Sequence, residues 1–126
     1  MSESPHILLV DDEVLAIMAL EQGLVEEGFR VTTAFNGKMA LERWRGGRFD
    51  AVVTDLRMPV MAGDELIRNL RGEAPDLPVV VVSGYATPDL AERLKASFQA
   101  PIQVMSKPVR VEEIMVTLRT MLPVHS

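Results

Sequence analysis

Apolar residues gather in three short unbroken runs: HILLV from His6, DAVVT up to Thr54, and PVVVVS up to Ser83. None alternates apolar with polar, as a strand with one wet face would. Unbroken runs of this length rich in β-branched residues read as strands covered on both faces of a parallel sheet. With two weaker runs the set of expected strands is His6–Val10, Arg30–Ala34, Ala51–Thr54, Val79–Ser83 and Ile102–Val104. Between them the apolar spacing turns helical. Helices are expected over Glu13–Glu27, closed by Gly28 as a C′ glycine, and over Lys38–Arg45, between Asn36-Gly37 and Gly46-Gly47. Three more follow: Asp64–Glu73 after Gly63, Asp89–Phe98 after Thr87-Pro88, and Val111–Met121 after Lys107-Pro108. Five β–α units with short connections imply an α/β domain with one parallel sheet, right-handed crossovers and helices on both faces.

The first helix is apolar on more than one side. At about 100° per residue, Ala16, Ile17, Leu20 and Leu24 form a core-facing arc, while Val14, Leu15, Met18 and Val25 fall largely opposite, where polar residues belong. Exposed apolar patches often mark interfaces. Leu15 and Met18 are therefore candidates for a docking surface.

Composition narrows the class. A chain of 126 residues, 48% hydrophobic and 25% charged, supports one globular domain over 1–126. The net charge of −5 and the scattered arginines argue against direct nucleic-acid binding, which wants clustered cations. There are no cysteines, hence no disulfides or thiolate metal sites. The polar start MSESPH lacks a signal-peptide core, and no apolar run approaches the ~20 residues of a membrane helix, so a soluble cytoplasmic domain is expected. His6 and His125 lie near the termini and are expected to be solvent groups; Trp44 and the methionines read as packing residues.

In such sheets ligands gather at the carboxyl ends of the strands. There the pattern places Asp11, Asp12 and Glu13 after the first strand, Asp55 after the third, Ser83-Gly84 after the fourth and Lys107-Pro108 after the fifth. Each has an ordinary reading: Asp12 as a helix N-cap, Asp55 and Ser83-Gly84 as turn residues, Lys107 as a surface lysine. Together they ask for more. Two like charges about 4 Å apart repel by about 4 kcal/mol at an effective dielectric of about 20, so the carboxylates need a counter-charge. Lys107 supplies one. Hard oxygen donors without His or Cys select Mg²⁺ or Mn²⁺ over zinc, and a carboxylate beside such a metal suits phosphoryl transfer onto an aspartate.

These residues closely resemble the receiver domain of two-component response regulators. The features that carry the resemblance are Asp11-Asp12, the D-x-x-M-P-x-M-x-G pattern of Asp55, Met58, Pro59, Met61 and Gly63, then Ser83-Gly84 and Lys107-Pro108, in order over essentially the whole chain. The resemblance implies a doubly wound sheet of order 2-1-3-4-5, as in flavodoxin and CheY. It also implies a phosphoacceptor that catalyses only its own phosphorylation and dephosphorylation. Asp55 would take a phosphoryl group from a sensor histidine kinase or histidine phosphotransfer protein. Mg²⁺ would be held by Asp12, the Asp55 side chain and the backbone carbonyl of Arg57, with Asp11 assisting. Lys107 would pair with Asp55 at rest and with the phosphoryl group afterwards, Ser83 would be the switch hydroxyl, and the Lys107-Pro108 peptide would be cis. Pro59 and Gly63 would shape the loop beside Asp55. The output would pass to a protein partner through the face of the fourth helix, fifth strand and fifth helix.

One position departs from the family. Val104 stands where a Tyr or Phe is usual, and a valine has no ring to turn inward. Arg57 and Tyr85 fall at the pocket rim, where family members tune the lifetime of the phosphorylated state. Rival readings are a pseudo-receiver acting as a scaffold and an aspartate-nucleophile phosphatase. The phosphatase would want a second aspartate where Arg57 stands. An FMN binder would have its phosphate repelled by Asp11, Asp12 and Glu13. The chain is expected to be either a stand-alone regulator or the receiver of a longer regulator or hybrid kinase, whose receivers the segment SGYATPDL resembles.

Overall fold

The computed structural model describes residues 4–84, 86–98 and 101–122; Tyr85 and His125 lie outside them. Five strands and five helices alternate: β1 His6–Val10, α1 Val14–Glu26, β2 Arg30–Ala34, α2 Gly37–Arg45, β3 Ala51–Thr54, α3 Gly63–Glu73, β4 Val79–Ser83, α4 Pro88–Ser97, β5 Ile102–Ser106 and α5 Val111–Met121. All strand pairs are parallel and the order is β2-β1-β3-β4-β5, the doubly wound arrangement expected.

The unbroken apolar runs are buried on both faces, each fully buried Val, Leu or Ile contributing about 1.5–3 kcal/mol. Leu8, Val10, Val52, Val79 and Val81 meet Leu41, Leu66, Ile67, Leu70 and Leu94 from α2, α3 and α4 on one side. Ile7, Leu9, Val53, Val80 and Val82 meet Ile17, Leu20, Leu24, Ile114 and Leu118 from α1 and α5 on the other. Because successive residues of a strand point to opposite faces, every position of β4 has somewhere to be buried.

Helix ends differ from expectation by a residue at most, and β5 runs on to Ser106 because its ladder with β4 extends to Ser83. Gly28 has φ 97° and closes α1 with the bond pair of a Schellman motif, its N–H to Val25 O at 3.0 Å and the Phe29 N–H to Leu24 O at 3.0 Å. Asp12 does not cap α1; the N-cap is Glu13, whose side chain makes no cap bond. His6 is not a solvent group. It is half-buried, its Nδ1–H donates to Arg48 O at 2.7 Å, and its Nε2 accepts from the Thr32 hydroxyl at 2.7 Å. Its ring lies on Phe49, which stacks on Trp44. These contacts staple the amino edge of β1 and β2 to the loop before β3.

A second staple holds the amino edge of β4 and β5. Buried Arg71 on α3 donates to Leu77 O from Nε and Nη2, and to Pro101 O from Nη2. Arg68 and Arg71 both lie over the ring of Phe98, the C-cap of α4. At this end α4 is fastened to α3. Along its length Leu94 is its only buried residue.

The loop from Asp55 to Gly63 is drawn tight. Gly63 N–H bonds to Leu56 O at 2.9 Å, and a Cβ on Gly63 would stand 2.1 Å from Asp55 O, well inside contact distance. Between them Val60 takes φ 73°, in the left-handed region that a β-branched residue avoids. Gly63→Ala should destabilise the fold by about 3 kcal/mol or more, read as the shift of a urea unfolding midpoint. Loss of less than about 1 kcal/mol would show that the loop opens freely.

Candidate functional site

Register builds the site. Val10 pairs with Thr54, so Asp11 and Asp55 leave adjacent strands side by side at the carboxyl edge. Asp11 N–H is held by Ala34 O at 3.2 Å, and Asp55 N–H by Val10 O at 3.1 Å. On the other flank Lys107 N–H bonds to Ser83 O at 2.9 Å, the next rung after the Ser83–Ser106 pair. The Lys107-Pro108 peptide is cis, as expected.

Around this edge, a cleft of about 270 Å³ is lined by Asp12, Glu13, Asp55, Arg57, Ser83, Gly84 and Lys107. Asp55 is 7% exposed and held at both oxygens. Its Oδ1 accepts from the N–H groups of Leu56 at 2.7 Å and Arg57 at 3.3 Å, and its Oδ2 from Lys107 Nζ at 2.9 Å. Lys107 Nζ also meets Asp11 Oδ2 at 2.8 Å and Glu13 Oε1 at 2.9 Å. Burial works against the ammonium, but these hydrogen bonds outweigh it and hold the Lys107 pKa above the ordinary lysine value. Burial pushes the Asp11 carboxyl above its ordinary value, an effect that Lys107 and the Glu13 N–H offset only in part.

Carboxylate oxygens of Asp11, Asp12 and Asp55 all lie within 4.8 Å of one another. Three hard oxygen donors so close, two of them buried, fit a small divalent cation such as Mg²⁺. The structure thus brings together Asp11, Asp12, Asp55, Ser83, Lys107 and Arg57, as the sequence predicted. Val104 sits half-buried on β5, packed against the core that α2, α3 and α4 share. Leu15 and Met18 are 81% and 57% exposed on α1, beside Val14 at 50%. Sequence reasoning missed Glu13 as a partner of Lys107; the one signal for it was a third acid directly following Asp11-Asp12.

A model of the response regulator receiver domain family matches residues 7–119. The chain belongs to this family. Receiver domains of response regulators are signalling modules of two-component systems. Over 124 residues this receiver is 37% identical to the sensor kinase CckA of Brucella abortus, covering 97% of the chain and 13% of the kinase. It spans about half the length of the mycobacterial transcriptional regulators it also matches. Among solved structures, chemotaxis protein CheY4 of Vibrio cholerae superposes with a TM-score of 0.86 at 26% identity, over 94% of this chain and 99% of that one. TrrA of Thermotoga maritima, solved in complex with Mg²⁺ and BeF, superposes at 0.81 with 29% identity, over 94% and 99%. No helix among the described residues of the receiver is long and apolar enough to cross a membrane.

The charge balance can be tested directly. Replacing Lys107 with Met leaves Asp11 and Asp55 without their shared cation and should cost about 2–4 kcal/mol at low ionic strength. In a double-mutant cycle of Lys107→Met with Asp11→Asn, followed by urea unfolding, the double variant should lose less than the two single losses combined. Simple additivity would mean that the 2.8 Å contact contributes nothing.

Proposed function

We propose that this receiver is a phosphoacceptor in a two-component or phosphorelay system, taking a phosphoryl group from a phosphohistidine onto Asp55. The observation that carries the reading is the treatment of Asp55 itself. A buried carboxylate is fixed by two backbone N–H groups and an ammonium in a cleft that also presents Asp12, Glu13, Arg57 and Ser83. An Asp55 oxygen attacks phosphorus, the bond from phosphorus to the donor imidazole nitrogen breaks, and the bonding pair returns to that nitrogen.

Asp11, Asp12 and the Asp55 carboxylate would hold Mg²⁺ or Mn²⁺, with the Arg57 carbonyl as a further ligand. When bound, the cation supplies neutralisation of the charge gathered on the phosphoryl oxygens. Lys107 does the same from the other side and keeps Asp55 aimed. Ser83, 2% exposed at the end of β4, follows the phosphoryl group, and its movement is passed to α4 and β5. Support comes from the thin attachment of α4 and from Val116, 60% exposed on α5, on the face that a downstream protein would read. With Val104 on β5, this readout runs without a turning ring. The Arg57 side chain, exposed at the cleft, sets how readily water reaches the phosphoryl group. The exposed apolar patch of Val14, Leu15 and Met18 adjoins the acidic edge and receives the kinase or phosphotransfer protein.

Incubated with Mg²⁺ and a small phosphodonor, the chain should gain the mass of one phosphoryl group, and Asp55→Asn should not. Retention of the gain in Asp55→Asn would overturn the reading. In the same assay Arg57→Asn should change the lifetime of the added mass. For the docking patch, Leu15→Glu and Met18→Glu should slow transfer from a histidine-phosphorylated protein by about tenfold, leaving the small-donor rate unchanged. Equal loss with both donors would count against docking and indicate a folding defect.

A further inference from the structure

Lys107 has three N–H donors and the structure gives each a different carboxylate: Asp11, Glu13 and Asp55, at 2.8–2.9 Å. The ammonium is saturated, so a phosphoryl oxygen gains it only if one of the three lets go. They are not equal. The Asp11 side chain is 6% exposed and that of Asp55 9%, whereas that of Glu13 is 65% exposed. Releasing a buried carboxylate strands a charge, while releasing Glu13 returns it to water at little cost.

Glu13 is also placed for this contact rather than for the helix. It occupies the N-cap of α1 with extended backbone, but its carboxylate caps nothing. Its N–H is anchored at 3.0 Å on Asp11 Oδ1, which fixes the stem from which the side chain reaches Lys107. Since Glu13 Oε1 and Asp55 Oδ2 each lie 2.9 Å from the same nitrogen, they stand no farther apart than twice that distance. A phosphoryl group arriving at Asp55 therefore enters the field of Glu13 as well.

We propose that Glu13 is a positioning residue that holds Lys107 at rest and competes with the incoming phosphoryl group for it. This rests on the assignment of Asp55 as phosphoacceptor. Glu13 has a double effect: it steadies the ammonium before the reaction, and it opposes anionic donors until it is displaced. The pocket is thereby set to a lower phosphorylation rate than Asp11, Asp55 and Lys107 alone would give.

Two readouts test it. In metal-free, unphosphorylated protein carrying ¹⁵N-lysine, the Lys107 ammonium protons should exchange with water faster in Glu13→Ala and Glu13→Gln than in the parent chain. This readout needs no phosphoryl transfer, and unchanged exchange would overturn the contact itself. With a small anionic phosphodonor at low salt, Glu13→Gln should be phosphorylated roughly two- to fivefold faster, the size expected of an exposed ion pair. The gap should close towards 1 M salt, where the screening length is about 3 Å. Glu13→Asp, which keeps the charge but not the reach, should show Ala-like lysine exchange and a rate between those of the parent and Glu13→Gln. A Glu13→Gln rate equal to the parent, or a gain that ignores salt, would overturn the competition. If the parent chain takes up no phosphoryl group at Asp55, the competition falls with the assignment on which it rests, while the lysine exchange still decides whether Glu13 holds Lys107.

Discussion

The acidic edge of this sheet depends on one ammonium group. Asp11 and Asp55 are buried side by side because β1 and β3 pair in register and end together, and Lys107 between them supplies the counter-charge that both contact. The lysine comes from the far end of the chain and is delivered by β5 through its ladder with β4. Strand order, register and charge are thus a single constraint. The sheet must bring its fifth strand's end to its first and third, or the carboxylates destabilise the fold.

What the edge spends, the rest of the molecule supplies. Two apolar layers, one beneath α2, α3 and α4 and one beneath α1 and α5, fix the strands so firmly that strand ends become rigid mounts. The loop after Asp55 then needs its own devices: Gly63 where no side chain fits against Asp55 O, and Val60 in a conformation costing on the order of 1–3 kcal/mol. Strained backbone of this kind persists only where the surroundings over-determine it. Here it lies within the loop that carries Arg57 and borders the cleft.

Much of this was legible in the sequence because the information is local. Unbroken apolar runs such as HILLV and PVVVVS announce strands buried on both faces, and the polar residue ending each run marks the edge where chemistry collects. Gly28 and Thr87-Pro88 announce their helix ends. What was not legible depends on contacts between distant segments. Glu13 and Lys107 are 94 positions apart; the sequence places both at one edge of the sheet, but which carboxylates the lysine touches is set only by the fold. His6 looked like a terminal solvent group until the fold brought Arg48 and Thr32 to its two ring nitrogens. Val60 gives no warning at all, since valine is among the residues least suited to positive φ.

The clamp formed by Arg68, Arg71 and Phe98 has a mechanical consequence. It grips α4 at its last turn, on the edge of the sheet opposite the cleft, while the first turn is held more lightly, by the Thr87 cap and half-buried Leu90. A helix held more firmly at one end than at the other yields first at the looser end. Were the backbone beside Ser83 to shift, Pro88 and Asp89 would have more freedom to follow it than Ser97 beside the clamp. Surface near the clamp would then be the fixed frame for any such shift, and surface near the first turn of α4 the part that yields.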